Sequence, residues 1–170
     1  MTRGKIFIIV LLFVFVTSVF GKTVCDGYIL FKNVKIVKVV DGDTFEVEYV
    51  GLPLLVRLIG IDAFETKRYK RIEYQIQQTG LTEEEIIRKG NEAKKYFSDN
   101  YLNKEVCLIL NKEHMKDPYG RYLGIIIDDK DCVLDSNTEI FQQIILRNGF
   151  GLKDYRYDDE CEEEFLSEQN

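Results

Sequence analysis

The stretch Val39-Val40-Asp41-Gly42-Asp43-Thr44-Phe45-Glu46-Val47-Glu48-Tyr49-Val50 decides the fold. Two β-rich runs flank an Asp-Gly turn, a strong hairpin signal. Upstream, Phe31 to Val40 is rich in Val and Ile, with Lys32, Lys35 and Lys38 interleaved. Downstream, Phe45, Val47 and Tyr49 alternate with Glu46 and Glu48, the pattern of a half-buried strand. Gly51-Leu52-Pro53 turns the chain again. Leu54 to Ile61 reads as a third strand, apolar except for Arg57. A charge inside a buried run is costly without a partner or ligand, so Arg57 is the first functional flag.

Residues 66–81 show no clear period and read as a long loop, which in compact domains tends to be functional or mobile. Thr82-Glu83-Glu84-Glu85 forms a capping box that opens a helix to about Leu102. Ile86, Ile87, Ala93, Tyr96, Phe97 and Tyr101 mark its inward side, and Gly90 leaves one helix or two open. Glu105–Leu110 and Tyr122–Ile127 are strands. Ser136–Asn148 is a helix capped by Ser136 with Glu139, striped by Ile140, Ile144 and Ile145, and ended by Gly149. The expected class is α+β, mainly β. Five strands with antiparallel turn chemistry make a small closed barrel rather than a parallel sheet, with about three helices if the acidic tail is one.

The chain has 170 residues and a net charge of −6. With 45% apolar and 31% charged residues it is ordinary for a globular domain. One His excludes three-His zinc sites and two-His acid–base pairs. No Gly-x-Ser-x-Gly elbow is present. Chemistry must run on carboxylates, arginines, tyrosines or thiols. Residues 1–21 read as a secretory signal: Arg3 and Lys5, then an apolar run from Ile6, then Val19-Phe20-Gly21. An uncleaved anchor or a core helix are the alternatives. The expected location is secreted, periplasmic or cell-envelope, with no stable membrane partner after cleavage and a monomeric state.

Cleavage would remove two of the 23 basic residues and none of the 29 acidic ones. Seven acids gather in 158–170, a tail read as a solvated helix or frayed end. The body, residues 22–157, is then nearly neutral, with one basic run at Lys67, Arg68, Lys70 and Arg71. Cys25, Cys107, Cys132 and Cys161 show no metal spacing. Export is compatible with two disulfides in any of three pairings; Cys25 with Cys161 would tie the domain ends. Alternatively, Cys107 is simply a small buried hydrophobe.

Four pieces carry chemistry: Asp41-Gly42-Asp43-Thr44, Arg57, Asp62-Ala63-Phe64-Glu65, and Arg121 after Tyr119-Gly120. Singly, each reads as ordinary structure. Together, carboxylates without His point to a hard cation such as Ca²⁺, and two arginines supply bidentate donors for a phosphate. Those are the requirements of phosphoryl transfer.

These pieces, with Gly90-Asn91-Glu92-Ala93, Asp117-Pro118-Tyr119-Gly120-Arg121-Tyr122-Leu123-Gly124, and Gly149-Phe150-Gly151-Leu152 followed by Tyr155 and Tyr157, resemble the thermonuclease, or staphylococcal-nuclease-like, family over roughly residues 31–157. The resemblance implies a five-stranded OB barrel with three helices. It implies a Ca²⁺ cofactor on Asp43, Asp62 and the main-chain carbonyl of Ala63. Glu65 would position and deprotonate the attacking water, and Arg57 and Arg121 would grip the scissile phosphate of DNA or RNA. Tyr119, Tyr155 and Tyr157 would line the nucleotide pocket, and Asp41 with Thr44 would shape the turn behind the ligands. Phe64 and Pro118 replace the family's usual residues, and the stretch from Glu65 to Gly90 is long. The rival reading is a silent OB module that binds nucleic acid or protein; a structural envelope scaffold is a third.

Overall fold

The computed structural model describes residues 27–133 and 138–157. The leader, Cys25, Ser136, Cys161 and the acidic tail lie outside the described residues. Seven strands appear in chain order among those described: β1 (Tyr28–Val39), β2 (Thr44–Tyr49), β3 (Leu52–Leu58), β4 (Ile61–Ala63), β5 (Glu105–Asn111), β6 (Tyr122–Ile127) and β7 (Gly151–Lys153). The helices are α1 (Arg71–Thr79), α2 (Glu83–Tyr101) and α3 (Phe141–Arg147), and a short 3₁₀ turn covers Tyr155–Tyr157.

The Asp-Gly turn makes the expected hairpin, pairing Val39 with Phe45 and Lys38 with Glu46. Five strands close into a barrel in the order β1-β2-β3-β6-β5. All its neighbours are antiparallel except β3 and β6, which run parallel, with Arg57 opposite Leu123. Phe45, Val47, Val56, Leu108 and Ile126 fill the barrel, and Phe97, Phe141 and Ile144 plug it from α2 and α3. The capping box at Thr82 is formed: Thr82 Oγ1 accepts from the Glu85 N–H at 3.2 Å, and Thr82 N–H donates to Glu85 Oε2 at 2.8 Å.

Three expectations are corrected, and one open alternative is decided. Residues 66–81 are not a loop throughout, because α1 occupies Arg71–Thr79 and ends at Gly80 in the left-handed conformation. Its inward positions are Ile72 and Gln75, and a glutamine at the centre of the stripe breaks the apolar period that a sequence reading needs. The third strand ends at Leu58 rather than Ile61. Gly60, at φ 71°, turns the chain, and Ile61–Ala63 leave the barrel to pair with β7. The helix expected from Ser136 starts at Phe141, and Glu139 accepts from Arg147 and Tyr101 instead of serving a cap. Finally, α2 runs through Gly90 unbroken.

Gly90 answers a packing demand. A Cβ there would lie 2.4 Å from the main-chain oxygens of Phe64 and Glu65. The helix can therefore approach that segment only where it has no side chain. A second fastening is the Cys107–Cys132 disulfide, which ties β5 to the turn after β6. Cys107 is thus both fully buried and bridged.

Gly90→Ala is expected to cost about 1–3 kcal/mol by overpacking, outweighing the roughly 1 kcal/mol that alanine gains in helix propensity. A urea midpoint at or above the wild-type value would contradict the close approach. Replacing Cys107 and Cys132 together by Ala is expected to remove about 2–4 kcal/mol, read from the same titration.

Candidate active site

The barrel register sets Thr44 opposite Arg57 and Arg57 opposite Leu123, across three adjacent strands. This row brings the Asp41–Thr44 turn, Arg57 and the chain entering β6 to one end of the barrel. Arg57 projects from β3 with its side chain only 11% exposed. Its Nη1 donates to Asp43 Oδ1 in a close ion pair. Its Nη2 donates to the Ile61 carbonyl at 3.2 Å and to Asp62 Oδ1 at 3.3 Å. The costly charge flagged in the sequence therefore has two buried carboxylate partners. Burial works against the Arg57 charge, and Asp43 and Asp62 outweigh it, holding its pKa above the ordinary value.

Asp43 is fixed on every side. Oδ1 also accepts from Thr44 Oγ1 at 3.1 Å, and Oδ2 accepts from the Ala63 N–H at 2.7 Å. Asp41 Oδ1 accepts from the Asp43 N–H at 3.2 Å, so Asp41 shapes the turn from behind. Burial pushes the Asp43 carboxyl up, opposed by Arg57 and reinforced by Asp41. Gly42 lets this turn press on its neighbours: a Cβ there would fall 2.7 Å from the Ala63 Cβ.

Arg121 arrives from the other side. Asp117, Pro118, Tyr119 and Gly120 form a turn closed by Gly120 N–H to Asp117 O at 3.0 Å. Pro118 takes the second position of this turn, which its fixed φ suits. Asp117 accepts from the N–H groups of Tyr119 and Arg121 and from Arg121 Nε, at 2.9, 3.0 and 2.7 Å. Against a burial that raises it, these bonds hold the Asp117 carboxyl below its usual range. Arg121 Nη1 then reaches Thr44 Oγ1 at 3.4 Å. The two guanidiniums are linked through Thr44 and Asp43.

Glu65 is half-buried. Burial raises its pKa, and the nearby charges of Asp62 and Asp41 add to the shift. Tyr119 is 85% exposed with the Arg121 guanidinium 5.7 Å from its ring centroid. Tyr155 is exposed on the 3₁₀ turn, which also contains Tyr157. The structure thus gathers Asp41, Asp43, Thr44, Arg57, Asp62, Ala63 and Arg121 in one contact network, sets Glu65 at its edge, and leaves Tyr119 and Tyr155 exposed.

Gln75 and Arg156 were not singled out in the sequence, and Arg71 only as part of the basic run. Gln75 is fully buried: its Nε2 donates to Asp62 Oδ2 at 3.0 Å and to Ala63 O at 2.9 Å, while its Oε1 accepts from the Glu65 N–H at 3.2 Å. One amide thereby fixes three residues of the Asp62–Glu65 segment. Arg71 Nε donates to Asp62 Oδ2 at 3.0 Å, and Arg156 Nη2 to Asp62 Oδ1 at 3.3 Å. The available signal was the spacing Ile72-Gln75-Ile76-Thr79, a helical stripe if glutamine is allowed inward. Phe64 is buried with Ile72 and Ile86 and anchors the segment to α1 and α2.

The donors here are all oxygen, from buried carboxylates and a main-chain carbonyl, which suits a hard cation in kind. Among the described residues no three His, Cys, Asp or Glu side chains gather at ligating spacing. The carboxylates converge on arginines instead, so a cation would share Asp43 and Asp62 with them.

The profile of the staphylococcal nuclease homologue family matches residues 55–170. An uncharacterized protein of Methanocaldococcus jannaschii is 36% identical over 128 residues, 71% of this chain and 62% of that protein. A protein of Staphylococcus hyicus named thermonuclease is 26% identical over 129 residues, 76% of this chain and 66% of its own length. The chain therefore spans slightly less than two thirds of these relatives. A closed five-stranded barrel with three helices, arginines from β3 and the β6 entry meeting on one acidic turn, and a profile match over most of the sequence lead to one assignment: the chain belongs to the staphylococcal nuclease homologue family.

Proposed function

We propose that this protein is a secreted, Ca²⁺-dependent nuclease that hydrolyses phosphodiester bonds of DNA, RNA or both. The observation that carries the reading is the convergence of Arg57 and Arg121, from separate segments, on Asp43 and Thr44. Two guanidiniums side by side next to buried carboxylates match a phosphate and its counter-cation. The Cys107–Cys132 disulfide supports an oxidising compartment.

Asp43, Asp62 and the Ala63 carbonyl are the residues that would hold Ca²⁺. When bound, the ion supplies Lewis-acid polarisation of a phosphate oxygen. Arg57 and Arg121 neutralise charge that builds on the phosphate during attack. Glu65 orients the water and takes its proton. Gln75 keeps Glu65 and the Ala63 carbonyl in register by holding both through one amide. Tyr119, Tyr155 and Tyr157 contact the nucleotides. The ion pairs that cover Asp62 favour the rival reading, a silent OB module, and the same assay separates the two.

The purified protein is incubated with DNA or RNA, in Ca²⁺ or in chelator, and run on a gel. Digestion only with Ca²⁺ is the expected outcome; a shifted but intact band would establish the binding module instead. Glu65→Gln is expected to lower turnover about 10²–10⁴-fold with an unchanged melting curve. Gln75→Ala strands buried polar partners and is expected to cost about 1–3 kcal/mol of stability, with kcat falling more than KM rises. Equal activity and stability in that variant would remove Gln75 from the site.

A further inference from the structure

Asp62 is sealed by donors. Its Oδ1 accepts from Arg57 Nη2 and Arg156 Nη2, both at 3.3 Å, and its Oδ2 accepts from Arg71 Nε and Gln75 Nε2, both at 3.0 Å. An ionised carboxylate offers about four lone-pair sites, so these four donors fill it. The residue is only 4% exposed. A divalent cation therefore reaches Asp62 only by displacing a donor.

The four donors are not equally held. Gln75 is fully buried and also binds the Ala63 carbonyl and the Glu65 N–H. Arg57 is tied to Asp43 and to the Ile61 carbonyl. Arg156 donates through Nε to both oxygens of Asp154, at 2.9 and 2.7 Å, so its charge stays beside Asp62 in any case. Arg71, the first residue of α1, differs. Asp62 is the one carboxylate that it pairs with among the described residues. Its guanidinium otherwise lies 4.1 Å from the Tyr74 ring centroid, and its side chain is 28% exposed. Leaving Asp62 costs Arg71 one partly solvated ion pair, and water stands ready to replace it.

We propose that Arg71 is an exchangeable counter-cation: it occupies Asp62 Oδ2 when no divalent ion is present, gives that oxygen up to Ca²⁺, and by competing for it weakens the site's hold on the ion. The inference rests on the nuclease reading above and assigns to α1 a control over metal affinity. Two cations that compete for one oxygen and repel each other are coupled negatively. Removing the Arg71 charge therefore strengthens ion binding. Loss of a structural support would weaken it, so the sign of the change separates the two roles.

The test titrates Ca²⁺ calorimetrically into the metal-free protein, with melting curves to show that each variant folds. Arg71→Gln, whose amide can still donate to Asp62, is expected to bind Ca²⁺ about 5-fold tighter than wild type, the worth of one partly exposed ion pair. Arg71→Met, which removes charge and donor together, shows the same direction of change. Arg71→Lys, which keeps the charge, stays near wild type. Arg68→Gln removes an exposed charge that pairs with Glu83 and leaves the affinity unchanged. Equal or weaker binding in Arg71→Gln and Arg71→Met overturns the proposal, as does an equal gain in Arg71→Lys or Arg68→Gln, or no Ca²⁺ binding by any of the proteins. The wild-type digestion assay keeps the two readings apart. Ca²⁺-dependent digestion with an affinity indifferent to Arg71 sinks the counter-cation alone, whereas tighter Ca²⁺ binding in Arg71→Gln without digestion by the wild type sinks the nuclease reading alone.

Discussion

A single buried guanidinium organises this end of the molecule. Arg57 sits in the barrel wall between apolar neighbours and spans Asp43 and Asp62. Neither partner is more than a few per cent exposed. A charge in such a place is tolerable only with its counter-charges, and truncating one member of a buried pair commonly costs about 3–5 kcal/mol. The same contacts decide geometry. They fasten the β1–β2 turn to β4, although these elements belong to different sheets. Thr44 extends the link to Arg121, which Asp117 has already oriented.

Around that link, small residues and one extra helix set the precision. Gly42 admits the acidic turn against Ala63, and Gly90 admits α2 against Phe64 and Glu65. Asn91 donates to the Thr66 carbonyl at 3.0 Å and steadies the chain just beyond Glu65. From the remaining side, α1 contributes the Gln75 amide and shelters Phe64 with Ile72. The Asp62–Glu65 segment is thus clamped by packing and by hydrogen bonds, the arrangement that keeps a reactive constellation in place.

On the proposed reading, a nearly neutral body gives little long-range pull on a polyanion, and affinity comes from local features. Arg57 and Arg121 meet at the site. Short-range recognition of this kind depends on stacking and on well-placed donors more than on net charge.

Much of this was legible in the sequence, because it is local. The Asp-Gly hairpin, the alternation of β2, the Thr82 capping box and the α3 stripe each follow from the conformational preferences of a few adjacent residues. The site side chains were legible for a related reason: Arg57 breaks an apolar run, and acids cluster at turns. What only the tertiary structure decided is who meets whom. The parallel pairing of β3 with β6 joins residues more than sixty positions apart and brings Arg121 to Thr44, and no local preference encodes it. Nor could spacing choose Cys132 as the partner of Cys107. Helix α1 escaped because its central inward residue faces carboxylates and carbonyls rather than oil, so Gln75 replaced the apolar side chain that marks a buried helix face. Sequence sets the chemistry of each piece; the closed barrel, by fixing register over long separations, sets which pieces share a site.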